Sequence, residues 1–188
     1  MTRKALVMAG RPKSVLDLPC GTGRFWEMLA EEPERAIYVA DNSQEMIETG
    51  LKFRPPAVTS RIAGTFQCSA FSTGLPDSFA ECVFSIRLMH HIEKSADRIL
   101  MLQEFARVSS DKVILTLWVD GNYGAWHRER LERKRAATKP RGTRNRLVIP
   151  RGQIEHEFAA AGLSVVGYID FLKYIDKKRI YVLQVDKH

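Results

Sequence analysis

No run of apolar residues in this chain is long enough to cross a bilayer as a helix. Its opening stretch, Met1 to Pro12, holds too few consecutive apolar residues for a secretory signal. Cysteine is scarce: Cys20, Cys68 and Cys82 are the only three, and none stand in a C-x-x-C spacing. That argues against a disulfide framework and against a zinc site, so no metal is expected, and it favours a reducing, cytoplasmic setting. Internal repeats and low-complexity tails are missing too. What is left, 188 residues, suits a single domain with a sizeable core.

What is present is concentrated at residues 15–23, Val-Leu-Asp-Leu-Pro-Cys-Gly-Thr-Gly. A short apolar run ends in Asp17, a turn carries Gly21 and Gly23, and Arg24-Phe-Trp-Glu-Met-Leu-Ala then starts a helix. Strand, glycine turn and helix in that order bring a backbone close to a ligand at the carboxyl edge of a parallel sheet. Glycine serves there because a Cβ would oppose a positive φ and block the ligand's approach. Two dinucleotide or phosphate readings fail. Trp26 occupies the place where G-x-G-x-x-G needs a small residue, and no Gly-Lys-Ser/Thr follows the turn. An acid before the turn would repel a pyrophosphate, whereas it suits a cation or an ammonium group. A second apolar run, Ala36 to Ala40, stops at Asp41, 24 residues after Asp17, which leaves room for one helix and one strand. An acid at that strand tip is placed to accept bonds from both hydroxyls of a ribose. Ser43 suits the N-cap of the next helix, with Met46 in its first turn.

The first stretch resembles motif I of the class I S-adenosylmethionine-dependent methyltransferases, a strand ending in acid-x-Gly-x-Gly-x-Gly. Pro19 stands where that pattern has its first glycine. Proline fixes φ at about −65° and donates no hydrogen bond, so the turn must be entered differently. The resemblance implies S-adenosylmethionine as cofactor. Asp17, Pro19, Cys20, Gly21 and Gly23 would shape its methionine and ribose end, Asp41 with Asn42 the ribose, and Met46 a face of the adenine. Thr65 to Phe71 reads as a third strand; a Leu75-Pro turn and a fourth strand from Cys82 follow, ending near Ile86 at the cofactor edge. Ser69, followed by Ala70, stands where the family has an Asp for the adenine amino group; a hydroxyl accepts that bond more weakly.

Ile99–Val108 reads as a helix with core spacing, and Lys112–Trp118 as a continuous apolar strand. Ile154–Ala161 is a helix stopped by Gly162, and Val165–Phe171 and Arg179–Val185 are strands joined around Asp176. The expected fold is α/β: a Rossmann-like, seven-stranded sheet, mostly parallel with an antiparallel C-terminal strand, and helices on both faces. The resemblance spans about residues 13–118 and 150–185. Family members carry substrate-covering helices upstream of motif I, yet only 14 residues precede Val15. Either the chain is a piece of a longer polypeptide, or its lid comes from elsewhere in the sequence.

A candidate lid is residues 120–151. Arg128, Arg130, Arg133, Lys134, Arg135, Lys139, Arg141, Arg144, Arg146 and Arg151 oppose Asp120, Glu129 and Glu132, a net charge of +7. The whole chain is also +7, so everything outside this insert sums to zero. Such concentration points to an anionic partner, and the excess of arginine favours bidentate grip on phosphate or carboxylate. Tyr123 and Trp126 precede the run and suit stacking on a ring or a membrane interface. With Arg87, at the end of the fourth strand, and Arg128 they are the candidate acceptor-binding residues.

Methylation of exocyclic amines in RNA or DNA usually shows an Asn/Asp-Pro-Pro-Tyr/Phe signature after the fourth strand; Ser85-Ile-Arg-Leu stands there instead, which disfavours that chemistry. Pyrimidine C5 methylation needs a cysteine there, and none is present. Met89-His-His-Ile is similar to the Leu-His-His of enzymes acting on quinones, lipids and sugars. His90 and His91 are the candidate general bases, since an imidazole titrates close to neutral pH. The expected activity is therefore methyl transfer to an anionic small-molecule, sugar or lipid-linked acceptor, with no transmembrane segment and with peripheral membrane contact open. Two alternatives stand beside it: an RNA methyltransferase, and a non-catalytic module binding cofactor or an anionic membrane.

Overall fold

The computed structural model describes residues 1–136, 147–172 and 174–186. In chain order the elements are α1 (Thr2–Met8), β1 (Ser14–Asp17), α2 (Trp26–Leu29), β2 (Ala36–Asp41), α3 (Gln44–Phe53), α4 (Pro56–Thr59), β3 (Ile62–Gln67) and β4 (Ala80–Ser85). A 3₁₀ turn at Met89–His91 leads to α5 (Ser95–Val108), β5 (Ser109–Val119), α6 (Tyr123–Ala136), β6 (Val148–Ile149), α7 (Arg151–Ala160), β7 (Leu163–Asp170) and β8 (Lys178–Val185). The sheet runs β3-β2-β1-β4-β5-β8-β7, parallel except for β8, which is antiparallel to both of its neighbours. Among the described residues no helix is long and apolar enough to cross a membrane.

Period-two alternation divides the strand side chains between two cores. Val15, Ile37, Val39, Cys82, Phe84, Ile114 and Val182 face α1, α2 and α3. Leu16, Leu18, Val83, Leu115, Tyr181 and Leu183 face α5 and α7. Each fully buried Leu, Ile or Phe in these layers contributes about 1.5–3 kcal/mol against exposure. The sheet's two-sided cover, visible in the sequence as unbroken apolar runs, thus comes from helices of the N-terminal half on one face and of the C-terminal half on the other.

Four details depart from the sequence reading. The third strand is Ile62–Gln67, not Thr65–Phe71, because its parallel partner β2 ends at Asp41, opposite Gln67. Beyond it Cys68 N–H donates to the Asp41 carbonyl at 3.0 Å, and Ser69 to Ser72 close a turn. An eighth strand, β6, joins the expected seven; its two residues pair with Trp118 and Val119, beyond the last β4 pairing at Leu115. Helix α5 begins at Ser95 because Arg98, a charge in apolar phase, is buried against Glu157 of α7: Arg98 Nε donates to Oε2 at 2.7 Å and Ser95 Oγ to Oε1 at 2.6 Å. Burial pushes the Glu157 carboxyl up, but those donors outweigh it and hold it below its ordinary value. Finally, α1 was not foreseen; it buries Ala5 and Leu6, and Met8 lies against Gly167 of β7.

Candidate active site

The strand order reverses between β1 and β4, and in an open parallel sheet the crevice outside the carboxyl ends at such a reversal is where ligands bind. Asp17 ends β1 there. Its carboxylate is wholly buried, and neither oxygen has a hydrogen-bond partner among the described residues. Burial drives this carboxyl well above its ordinary value; the Trp26 indole opposes that only in part, and the Asp41 charge adds to it. Trp26 Nε1 is likewise buried; its N–H lies towards the Asp17 carboxyl, but no hydrogen bond of good geometry joins the two. Buried polar atoms without a well-formed hydrogen bond are rare inside proteins and single this strand end out.

The turn after Asp17 is entered through a cis Leu18–Pro19 peptide. Cys20 N–H then donates to the Ala40 carbonyl at 2.8 Å, so the turn lies along the end of β2. Gly21 and Gly23 both have positive φ, +54° and +72°, but for different reasons. A Cβ on Gly21 would meet no atom within 4 Å, so this position fronts open space. A Cβ on Gly23 would sit 2.5 Å from the Trp26 ring. Gly23 therefore makes room for the indole, not for a ligand. Gly50 of α3 does the same from the other side, with its Cβ position 2.6 Å from Trp26 Cη2. Together they let a tryptophan stand where a dinucleotide site needs a small residue.

Asp41, at the tip of β2, holds this assembly. Gly21 N–H donates to Oδ2 at 2.8 Å and Ser43 N–H to Oδ1 at 3.0 Å, which leaves each oxygen a further lone pair. Ser43 caps α3 as expected, its Oγ accepting from Met46 N–H at 3.3 Å, and the Met46 side chain is exposed beside it. Asn42 is exposed, and its carbonyl accepts from Gln67 Nε2 at 3.5 Å. Ser69 Oγ accepts from Phe71 N–H at 3.2 Å, which fixes the Ser69–Ala70 turn across from Asp41. Glu104 anchors the chain after it: Thr73 N–H and Oγ donate to Oε1 at 2.7 and 2.6 Å. The Cys20 thiol is pushed far up by burial and by Asp17 and Asp41, and Cys82 up to about 12 by burial, which disfavours the reactive thiolate form at both.

The fourth strand's end is more mixed. Ile86 is buried in the core shared with Phe84. Arg87 is exposed and adopts φ of +73°, uncommon for a residue with a side chain, while its N–H donates to Thr116 Oγ at 2.7 Å. The two histidines differ in exposure, although their rings lie 4.3 Å apart. His90 is buried and stacks on Trp118, rings 5.0 Å apart and 6° from parallel, and its carbonyl accepts from Leu147 N–H at 2.8 Å; His91 is exposed. Neither Thr116 nor Trp118 carries a motif that would have singled it out in sequence.

The basic insert is pinned at both ends. Arg151 N–H donates to Asp120 Oδ1 at 3.0 Å, and β6 returns beside the end of β5. Tyr123 and Trp126 are exposed on α6, ring centroids 5.7 Å apart, with the Arg130 guanidinium over Trp126. Lys139, Arg141, Arg144 and Arg146 lie outside the described residues, as do the side chains of Arg128, Arg133, Lys134 and Arg135. Among the described residues no group of His, Cys, Asp and Glu is placed to hold a metal ion.

No curated protein matches the sequence. Solved structures match the fold. Magnesium protoporphyrin IX methyltransferase of Synechocystis PCC 6803, with bound SAH, is 15% identical with a TM-score of 0.73, covering 97% of this chain and 80% of its own. A SAM-dependent methyltransferase of Methanosarcina mazei is 15% identical with a TM-score of 0.72, covering 93% of each chain. The [4+2]-cyclase SpnF is 14% identical with a TM-score of 0.72, covering 99% and 81%, so the fold by itself does not fix the reaction. The sequence profile of the methyltransferase domain does match, over residues 15–112. With more than half of its length covered by that profile, and with the strand order to go with it, the chain belongs to the methyltransferase-domain family of class I enzymes.

Proposed function

We propose that this chain transfers a methyl group from S-adenosylmethionine to an anionic small-molecule, sugar or lipid-linked acceptor that enters beneath the basic insert. The observation that carries the cofactor half is the Asp41 carboxylate, oriented by two backbone N–H groups beside the open front of Gly21, with the unpartnered Asp17 carboxylate buried next to it. These residues fit a ribose diol at Asp41 and a cationic amino-acid end near Asp17. Met46 would cover one face of the adenine and the Ser69–Ala70 turn would accept from its amino group. Bound S-adenosylmethionine supplies a methyl on a sulfonium, an activated electrophile, so the protein's task is chiefly to position the acceptor in line.

Arg87 and the arginines of the insert would neutralise and orient the acceptor's charge. His91, exposed beyond β4, would take the proton from a hydroxyl acceptor. His90, held flat on Trp118, would position that turn and not act on the acceptor. Calorimetry with S-adenosylmethionine tests the cofactor half: saturable binding is expected, and Asp41→Ala should weaken it at least about 100-fold, the loss of two charge-assisted hydrogen bonds. Absence of binding, or an indifferent Asp41→Ala, would overturn the reading. A product gaining CH₂ in a metabolite extract would identify the acceptor.

A further inference from the structure

The loop between β7 and β8 is unusual for a surface connection. Phe171, Leu172, Tyr174 and Ile175 all lie exposed in it, Tyr174 by 72%. It is not a stray tail, because α6 is built onto it: Tyr123 N–H donates to the Tyr174 carbonyl at 2.9 Å and Gly124 N–H to that of Ile175 at 2.8 Å. Gly124 has to be small for this, since a Cβ there would stand 2.8 Å from the Ile175 carbonyl oxygen. These bonds bring the exposed aromatics of α6, Tyr123 and Trp126, into one surface with the loop. The surface belongs to the carboxyl edge of the sheet, because β8 begins opposite Trp118 at the end of β5. Several large apolar side chains exposed together on one surface mark an interaction site.

Cations accompany the apolar groups. Arg130 lies over Trp126 at 5.6 Å, Lys178 over Phe171 at 4.9 Å, and Lys177 over Trp118 at 4.6 Å. Asp176, the acid in this loop, turns its Oδ1 to Lys178 N–H at 2.7 Å. All of the chain's net charge sits in the insert that α6 opens. Aromatic and aliphatic tips ringed by Lys and Arg match the headgroup and upper acyl layers of an anionic bilayer. Single-stranded RNA would use the aromatics and the cations but has no use for Leu172 and Ile175, which cannot stack on bases as rings do.

We propose that Phe171, Leu172, Tyr174 and Ile175 of the β7–β8 loop, together with Tyr123 and Trp126 at the start of α6, dock this edge of the protein on an anionic phospholipid surface. The proposal rests on the reading of the carboxyl edge as the acceptor side, and it narrows the acceptor to one presented at a membrane. Trp126 provides the reporter, being 52% exposed while Trp26 and Trp118 are 0% and 8%. The probe is vesicles of phosphatidylcholine with about 30% phosphatidylglycerol, compared with phosphatidylcholine alone, both without cofactor. Expected results are co-sedimentation with the anionic vesicles only, weakened by salt, and a blue shift of emission that Trp126→Phe removes. Leu172→Asp/Ile175→Asp should reduce partitioning about tenfold or more. The neutral pair Leu172→Gln/Ile175→Gln should do likewise, which separates lost apolar contact from added negative charge. Both double variants should keep the cofactor affinity of the unmodified protein. No co-sedimentation, equal binding to uncharged vesicles, or indifference to the Gln pair would overturn the proposal. So would capture by a single-stranded RNA oligonucleotide with vesicles ignored, or self-association that accounts for the shift. Failure of cofactor calorimetry would instead overturn the methyltransferase reading and leave the vesicle result standing.

Discussion

Gly21 and Gly23 look interchangeable in the sequence, and the structure predicts that they are not. Replacing Gly23 by alanine places a Cβ 2.5 Å from Trp26 Cδ2 and Cε3. The ring is fully buried and Gly50 closes its far side, so it has nowhere to withdraw. The left-handed backbone costs an L-residue about 1–2 kcal/mol and the overpacking about 1–3 more, so Gly23→Ala should lose about 2–5 kcal/mol. Gly21→Ala meets no atom and should lose only the backbone part, about 1–2 kcal/mol. In urea unfolding with a slope of about 2 kcal/mol/M, the midpoints should fall by about 1–2.5 M and by less than about 1 M respectively. Cofactor titration should reverse the ranking: among variants still folded, Gly21→Ala should bind S-adenosylmethionine much more weakly, because its new Cβ fills the open front of the turn. A double-mutant cycle completes the test. With Trp26→Leu in place, Gly23→Ala should cost only the backbone part. The same penalty in both backgrounds would refute the claim that the indole is the obstacle. Unchanged cofactor affinity in Gly21→Ala would refute the assignment of the open front to the ligand.

Two pH experiments should run in opposite directions. Glu104 is held down to about 2, chiefly by the Arg107 hydrogen bond, so its contribution is complete above about pH 4.5 and is lost as pH falls towards 2. Because Arg107 is 37% exposed and screened, Glu104→Gln should cost only about 1–2 kcal/mol at neutral pH, and the gap to the unmodified protein should close in acid. Asp17 has its folded value raised, so its burial destabilises the fold progressively as pH rises past the ordinary carboxylate range. Asp17→Asn should therefore raise the melting temperature of the cofactor-free protein at neutral pH and flatten its alkaline decline; a lowered melting temperature there would count against a buried, unpartnered charge.

Local chemistry made part of this protein legible. Asp17, the glycine turn, Asp41 and the Ser43 cap all follow from neighbours within a few residues, and the parallel order follows from unbroken apolar runs. What escaped was set across the chain. Trp26 argued in sequence only against a dinucleotide; that it lodges between Gly23 and Gly50 needs a helix packed opposite. The adjacent His90 and His91 were equivalent on paper, and only Trp118, at the end of another strand, divides them into a stacked ring and an exposed one. Arg98 lies just outside the helix read from the sequence, and its burial depends on Glu157, brought to it by α7. The short β6 carries no periodicity at all, being defined by the strand beside it.

That short strand has a wider consequence. Residue 120 and residue 151 are held together by the Asp120–Arg151 contacts, and β6 re-enters alongside β5. The excursion between them leaves and rejoins the scaffold at nearly one point, so its closure is set by the stem and changes only slowly with its length. Under the proposed function, acceptor recognition would thereby be mounted as an exchangeable cassette: the segment can lengthen, shorten or be replaced while Asp17, Asp41 and the glycine turn, on the other half of the sheet, keep their geometry.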